Sequence, residues 1–227
     1  MTAFDLNQID RVLTTTKSVR RRLDLSRPVA RQVVIDCIRL ASYAPNASNA
    51  QESRWIVVDD RELCRQVGEA YRRVTVGPVT DMLKAKLAAG DEAGARISRS
   101  ILYLADHMGE VPILVIPCFH FQPDTTTPLP QISRMFGSIY PAVWSFQLAL
   151  RSRGLGSVFT TAHTLDEAGM AQVLGIPPGW TQACLIPVAH TVGADFTPSP
   201  RRPVEEFVAW NGWDAPLSDG PQRPSIS

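Results

Sequence analysis

The 227-residue chain predicts an α+β fold. Four short strand-like stretches stand against about seven helical ones, and two or three helices separate some of the strands. A regular doubly wound sheet does not have that rhythm. Neither a repeat nor a linker interrupts the sequence, so residues 1–213 are expected to form one domain. The Pro-, Ser- and Gly-rich tail, 214–227, is expected to be disordered.

Taken in order, Leu6 to Thr16 reads as a short amphipathic helix with Ile9, Val12 and Leu13 on one side. Pro28 suits a helix start, and Val33, Ile35, Ile38, Leu40 and Ala41 follow at mostly helical spacing until Pro45 stops the run. Arg54 to Asp59 reads as a strand. Asp60 can cap a helix through about Tyr71, in which Leu63 and Val67 recur at i and i+4. Val79 to Ala89 and Glu92 to Met108 read as two further helices parted by Gly90; the first is charged enough for the surface and suits a lid over a pocket. Val111 to Phe119 holds the longest apolar run, and its Pro112 to Phe119 part reads as a strand buried on both faces. Prolines and Thr125 to Thr127 make Phe121 to Gln131 a loop.

A long helix, about Met135 to Arg153, then ends at Gly154. It is apolar nearly all round from Ala142 to Leu150, so it is expected to be central and covered, and a helix-to-helix homodimer would supply the partners it needs. Gly156 to Thr161 reads as a strand, Leu165 to Leu174 as a helix and Gln182 to His190 as a last buried strand. Pro203 to Trp210 forms a terminal segment.

Composition narrows the function classes. A net charge of +1 gives no global field toward nucleic acid or membrane. The apolar run at 111–119 is about half a bilayer span, and Met1 to Asp10 does not resemble a signal peptide, so a cytoplasmic location is expected. Cys37, Cys64, Cys118 and Cys184 are far apart and read as buried free thiols. There is no G-x-x-x-x-G-K-[ST] or G-x-G-x-x-G loop, no G-x-S-x-G elbow, and no zinc-like spacing among His107, His120, His163 and His190. With no acid, base or nucleophile set in view, the chemistry points to a cofactor, and no catalytic side chain or metal ligand is expected.

Four segments could hold such a group. In Lys17-Ser18-Val19-Arg20-Arg21-Arg22, three successive arginines on a helix would fan about 100° apart. On extended chain, Arg20 and Arg22 would share a side and could fork a phosphate, with Ser18 adding a hydroxyl. A solvated turn with ion pairs to Asp24 is the plainer alternative. Ala44-Pro45-Asn46-Ala47-Ser48-Asn49-Ala50-Gln51 is a loop of small and amide residues suited to a flat polar ligand. Arg153-Gly154-Leu155-Gly156-Ser157-Val158-Phe159-Thr160-Thr161 is a tight helix-to-strand return that exposes backbone amides or is simply a structural turn. Arg201-Arg202-Pro203 adds a second pair of guanidinium groups near the other end.

The order of these motifs resembles the FMN-dependent nitroreductase family across nearly the whole chain. Thr15 to Arg20 resembles its opening basic–serine–x–basic motif, Ala44 to Gln51 with Trp55 its A-P-S-x-x-N-x-Q-P-W segment, and Gly154-Leu155-Gly156 its GLG segment. Leu174-Gly175-Ile176-Pro177 resembles its L-G-I-P, and Arg201-Arg202-Pro203 its terminal K/R-x-R-x-P clamp.

The resemblance implies a small mixed sheet wrapped by helices, a homodimer, and a C-terminal segment embracing the partner subunit. It further implies FMN with NADH or NADPH as donor and a nitroaromatic, quinone or similar small-molecule acceptor, in a ping-pong cycle. By position, Lys17, Ser18, Arg20 and Arg202 would hold the phosphate and ribityl chain, with Arg201 beside them. Pro45, Asn46, Ala47 and Asn49 would come from the partner. Backbone groups of Thr160 and Thr161 would face the ring edge. Related proteins of this fold dehalogenate aromatics or fragment flavin, and a flavin-storage protein is a further alternative. Departures stand at Thr16, where many members have arginine, at Glu52-Ser53-Arg54, which interrupts Gln-Pro-Trp, and at Thr161, near an acidic position of some members.

Overall fold

The computed structural model describes residues 4–213. The chain divides after Asp195 into two units, Met1–Asp195 and Phe196–Ser227. The expected disorder of 214–227 lies outside the described residues.

The first unit is α+β. Its helices are α1 (Leu6–Thr15), α2 (Arg31–Ala41), α3 (Arg61–Ala88), α4 (Glu92–His107), α5 (Leu129–Arg151) and α6 (Glu167–Leu174). Its strands are β1 (Leu23–Asp24), β2 (Ser53–Val58), β3 (Ile113–His120), β4 (Leu155–Ser157), β5 (Trp180–Gln182) and β6 (Ile186–Thr191). The path through the sheet runs β1-β6-β3-β2, with β4 on β6 and β5 on β3. Every ladder is antiparallel, and one isolated parallel bridge, Ser18 to Ser157, makes the pairing mixed.

The core lies where α2 and α5 cover β3 and β6, around Val34, Cys37, Ile113, Val143, Phe146 and Val188. β3 is buried on both faces from Ile113 to Phe119, as its continuous apolar run requires. α5 buries Ile139, Val143, Phe146 and Leu150, yet Trp144 on the same helix remains 44% exposed. The apolar stripe of α1 is likewise open, with Leu13 47% exposed beside Leu6 and Ile9.

Two helices differ from expectation. α3 continues unbroken for 28 residues through Gly77 and Pro78 instead of stopping near Tyr71. Both residues are exposed, so water can satisfy the carbonyl that Pro78 leaves unbonded, and α4 packs along the helix. α5 starts at Leu129, inside the expected loop, because Pro128 and Pro130 sit at its first turn, where a missing N–H removes no helical bond.

α3 packs its Gly68 directly on the 3-10 turn Met108–Glu110. A Cβ at Gly68 would stand 2.4 Å from the Gly109 nitrogen and 2.6 Å from its Cα. Alanine is the better helix former by about 1 kcal/mol, but the obstacle here is backbone. Gly68→Ala is therefore expected to destabilise the protein by about 1–3 kcal/mol, read as a lower urea midpoint.

The second unit, within its described part, carries the 3-10 turn Val204–Glu206 and exposed Phe207, Trp210 and Trp213.

Candidate functional site

The chain leaves α1 through a bridge at Ser18 and then turns over Arg20 to Leu23, where the Leu23 N–H donates to the Arg20 carbonyl at 3.4 Å. Thr15 and Thr16 hydroxyls donate back to the Arg11 and Val12 carbonyls at 2.6 Å, and Thr16 is already extended at the helix end. Ser18 bridges Ser157, and the Val19 N–H donates to the Ser157 carbonyl at 2.9 Å. Val19 is buried where Gly156 leaves room; a Cβ there would meet the Val19 side chain at 3.1 Å. Alternation at the bridge places Ser18 on the face opposite Val19. Gln147 of α5 fixes Ser157 from beneath through a 3.1 Å bond between two buried side chains.

The three arginines take different partners. The Arg20 Nη1 donates to the Ser100 hydroxyl of α4 at 3.4 Å. Arg21 lies over the Tyr103 ring, 5.5 Å from its centroid, and reaches the Arg99 carbonyl. Arg22 donates to the Val192 carbonyl and pairs with Asp195 at 2.9 Å, so the expected convergence of Arg20 and Arg22 on one anion does not occur. Asp24, the plainer ion-pair partner, instead accepts from Ser26 and the Arg27 N–H. Neither Lys17 nor Arg20 has an ion-pair partner among the described residues. Burial pushes the Arg20 guanidinium pKa down, and the nearby Tyr71 acts in the opposite sense. A half-buried cation beside Ser100 and Tyr71 with no carboxylate paired to it favours an anion.

Beyond β4 the chain turns outward at Phe159, Thr160 and Thr161. The Thr160 N–H and C=O are both taken by Leu185, at 3.1 and 2.8 Å. This narrows the expected pair of backbone contacts, because of the two only the Thr161 N–H lacks a backbone partner among the described residues. Its carbonyl accepts from the Thr164 N–H and hydroxyl. The Thr160 side chain shares a 3.0 Å hydrogen bond with the Tyr71 hydroxyl of α3.

The amide loop forms a separate place. Asn46, Ala47, Ser48 and Gln51 line a cavity of about 430 Å³ together with Trp55, Phe119, His120, Arg134, Ser138 and Ile139. The loop is held by one hydrogen bond to α5 and one within itself. The Ala47 N–H donates to the Ser138 hydroxyl at 3.1 Å, and the Gln51 N–H to the Asn46 side-chain oxygen at 3.0 Å. Ser48, Asn49 and Gln51 all adopt left-handed backbone (φ 56°, 51° and 54°), a strained run for non-glycine residues. Pro45 is exposed beside it. Such a volume, with mixed apolar and amide walls, is in the range of small-molecule sites. Lys17, Ser18, Arg20, Thr160 and Thr161 do not line it. Met135 and Ala142 of α5 do, whereas nothing from 82–108 does.

Arg201 and Arg202 belong to the second unit. Arg201 donates to the Pro200 carbonyl at 3.0 Å, and Arg202 lies over the Phe207 ring at 5.6 Å from its centroid.

Sequence reading missed Tyr71, Ser100, Ser138, Arg134 and His120. A serine or tyrosine on a helix carries no local signal of the loop it will meet; only Arg134, a cation in the opening turns of an apolar helix, could have stood out. The four cysteines are buried and unpaired, and burial pushes Cys64 up to about 11 and Cys118 up to about 12, too high for redox or nucleophilic work at neutral pH. Among the described residues no group of three or more His, Cys, Asp or Glu could hold a metal, and no helix is long and apolar enough to cross a membrane.

The profile of the nitroreductase family matches residues 13–190. The chain belongs to the nitroreductase family. No curated protein matches it. Solved nitroreductase-fold relatives share its architecture. An oxidized iodotyrosine deiodinase bound to FMN and 3-iodo-L-tyrosine is 20% identical, with 91% of this chain and 99% of that one covered and a TM-score of 0.67. The FMN and NADPH-dependent nitroreductase NfnB from Sphigopyxis sp. strain HMH is 20% identical, with 90% and 99% covered and a TM-score of 0.62. A BluB-like flavoprotein from Clostridium difficile 630 is 16% identical, with 90% and 99% covered and a TM-score of 0.65. At these identities the likeness is one of fold.

Proposed function

We propose that this nitroreductase-family chain is an FMN-dependent oxidoreductase that takes hydride from NADH or NADPH and passes it to a nitroaromatic, quinone or similar acceptor. The observation that carries the reading is that Lys17 and Arg20, neither with an ion-pair partner among the described residues, flank Ser18 on a segment bridged to Ser157. That donor set fits a phosphate monoester: two cations, one hydroxyl and no ion-paired carboxylate. FMN, when bound, supplies the redox chemistry by accepting a hydride and delivering it onward.

In this reading Lys17, Ser18 and Arg20 hold the phosphate end, joined by Arg202 and its neighbour Arg201. The free N–H of Thr161 serves the ring edge. Pro45, Asn46, Ala47 and Asn49 come from a second copy, which accounts for an amide loop and a basic segment that share no lining residue in one chain. The exposed stripe of α1 and Trp144 of α5 support a homodimer, because burying them against a like surface removes apolar area from water. Val204 to Trp210 would embrace the partner, with Phe207 and Trp210 as its apolar contacts. Four unpaired buried thiols suit a reducing cytoplasm.

The test is the purified protein under anaerobic conditions. A flavin absorbance band that bleaches on adding NADH or NADPH and recovers with a quinone is expected, from a particle of dimer mass. A colourless protein that ignores added FMN ends the reading. Bound FMN reduced no faster than free flavin makes the protein a flavin carrier instead.

A further inference from the structure

Tyr71 is among the largest fully buried side chains, 1% exposed, on a face of α3 that otherwise carries Cys64, Val67, Gly68 and Thr75. A tyrosine hydroxyl this deep needs a partner. It finds one in the Thr160 hydroxyl at 3.0 Å, on a turn 89 residues further along the chain.

That turn is pinned at three points. Leu185 takes both backbone groups of Thr160, the Thr161 carbonyl accepts from Thr164, and Tyr71 holds the Thr160 side chain. The first two bonds fix where the backbone lies. The third adds a restraint from the α3–α4 helix pair. The same pair meets the phosphate-end cation through Ser100, so its two helices touch both chain segments of the proposed site.

We propose that Tyr71 is a positioning residue for the flavin ring edge, acting through Thr160 to set the Thr161 amide. The proposal rests on the FMN reading above. Nothing in it requires Tyr71 to touch the cofactor. Loss of one neutral hydrogen bond from such a restraint corresponds to about a fivefold to tenfold weakening of the bound state.

The experiment titrates full-length protein, stripped of flavin, with FMN and separately with riboflavin, following the loss of flavin fluorescence. Riboflavin lacks the phosphate, so it reports the ring end alone. Tyr71→Phe, which removes only the hydroxyl, is expected to weaken FMN and riboflavin alike by about fivefold to tenfold. Thr160→Val deletes the same bond from its other end and must reproduce the loss. Thr160→Ser keeps a hydroxyl and must retain near-native affinity.

Unchanged affinity in a folded Tyr71→Phe protein, or in Thr160→Val, overturns the proposal. So does a loss confined to FMN, which would place the effect at Arg20 instead. If Tyr71→Phe does not fold, the two Thr160 variants decide alone. Wild-type protein that binds neither flavin defeats the underlying reading, an outcome distinct from all of these.

Discussion

Arg20→Gln is expected to weaken FMN binding roughly 30- to 150-fold while leaving riboflavin binding nearly unchanged. The magnitude follows from removing a charge-assisted fork to a phosphate, about 2–3 kcal/mol. Arg20→Lys keeps the charge but loses the planar fork, so it should fall between the two. The fold should not suffer. Arg20 is half-buried, its guanidinium is desolvated, and it donates a hydrogen bond to Ser100 at 3.4 Å, with Tyr71 nearby. Replacing an under-compensated buried cation by a neutral amide is neutral or mildly stabilising. Thermal melting of Arg20→Gln without ligand should therefore match or exceed wild type, while the added stability given by FMN shrinks. A variant that melts early without flavin would mean that Arg20 serves the fold, and the phosphate assignment would fail.

Much of the fold was legible because its signals are local. The Asp60 side chain caps α3 by accepting from the Leu63 N–H at 2.9 Å, as an aspartate at a helix entrance should. Gly154 has φ 74° just past α5, the left-handed geometry its position suggests. β3 reads directly as an apolar run because it is buried on both faces from Ile113 to Phe119. What was not legible depends on context. A Gly-Pro pair ordinarily stops a helix, yet α3 carries Gly77 and Pro78 through because that segment faces solvent and α4 supports it. β1 and β5 are only two and three residues long, too short for any periodicity, and exist because β6 and β3 offer them an edge.

The candidate site divides the same way. Residue type alone picked out Ser18, Arg20 and the amide loop, since a basic–serine run and a cluster of small amides are unusual locally. Their partners are long-range and left no trace in the sequence. Ser18 meets a residue 139 positions away through a single bridge. Arg22 looked equivalent to Arg20 on extended chain, but the end of β6 brings Val192 and Asp195 to it. Thr160 and Thr161 looked alike as well; the bridge to Leu185 separates them, leaving one amide free. The chemistry of a site is written in composition, and its geometry in pairings that only the folded chain makes.

His163 is expected to make the protein lose about 3 kcal/mol of stability as pH falls from 6.5 to 4. The ring is 1% exposed in the turn Ala162–Asp166, and neither of its nitrogens has a hydrogen-bond partner among the described residues. Burial alone pushes its pKa down from 6.5 to about 4. The sign follows from where the proton binds. Between those two values the unfolded chain takes up a proton that the folded one refuses, so acid favours unfolding. The contribution is fully present above pH 6.5, declines through that window, and is flat below about 4. His163→Leu removes both the titration and the two orphaned nitrogens. Its stability at pH 7 should be near that of wild type, since an apolar group of similar size replaces an unsatisfied polar one. Urea midpoints of both proteins at pH 7 and pH 4 give the comparison, and carboxylate titrations common to the two cancel in the difference. Parallel acid sensitivity in wild type and variant would mean that His163 is already protonated or solvated in the fold. Because the ring lies two residues beyond Thr161, its protonation strikes the turn that carries the free amide. Flavin should therefore dissociate over the same pH window, before the rest of the fold gives way.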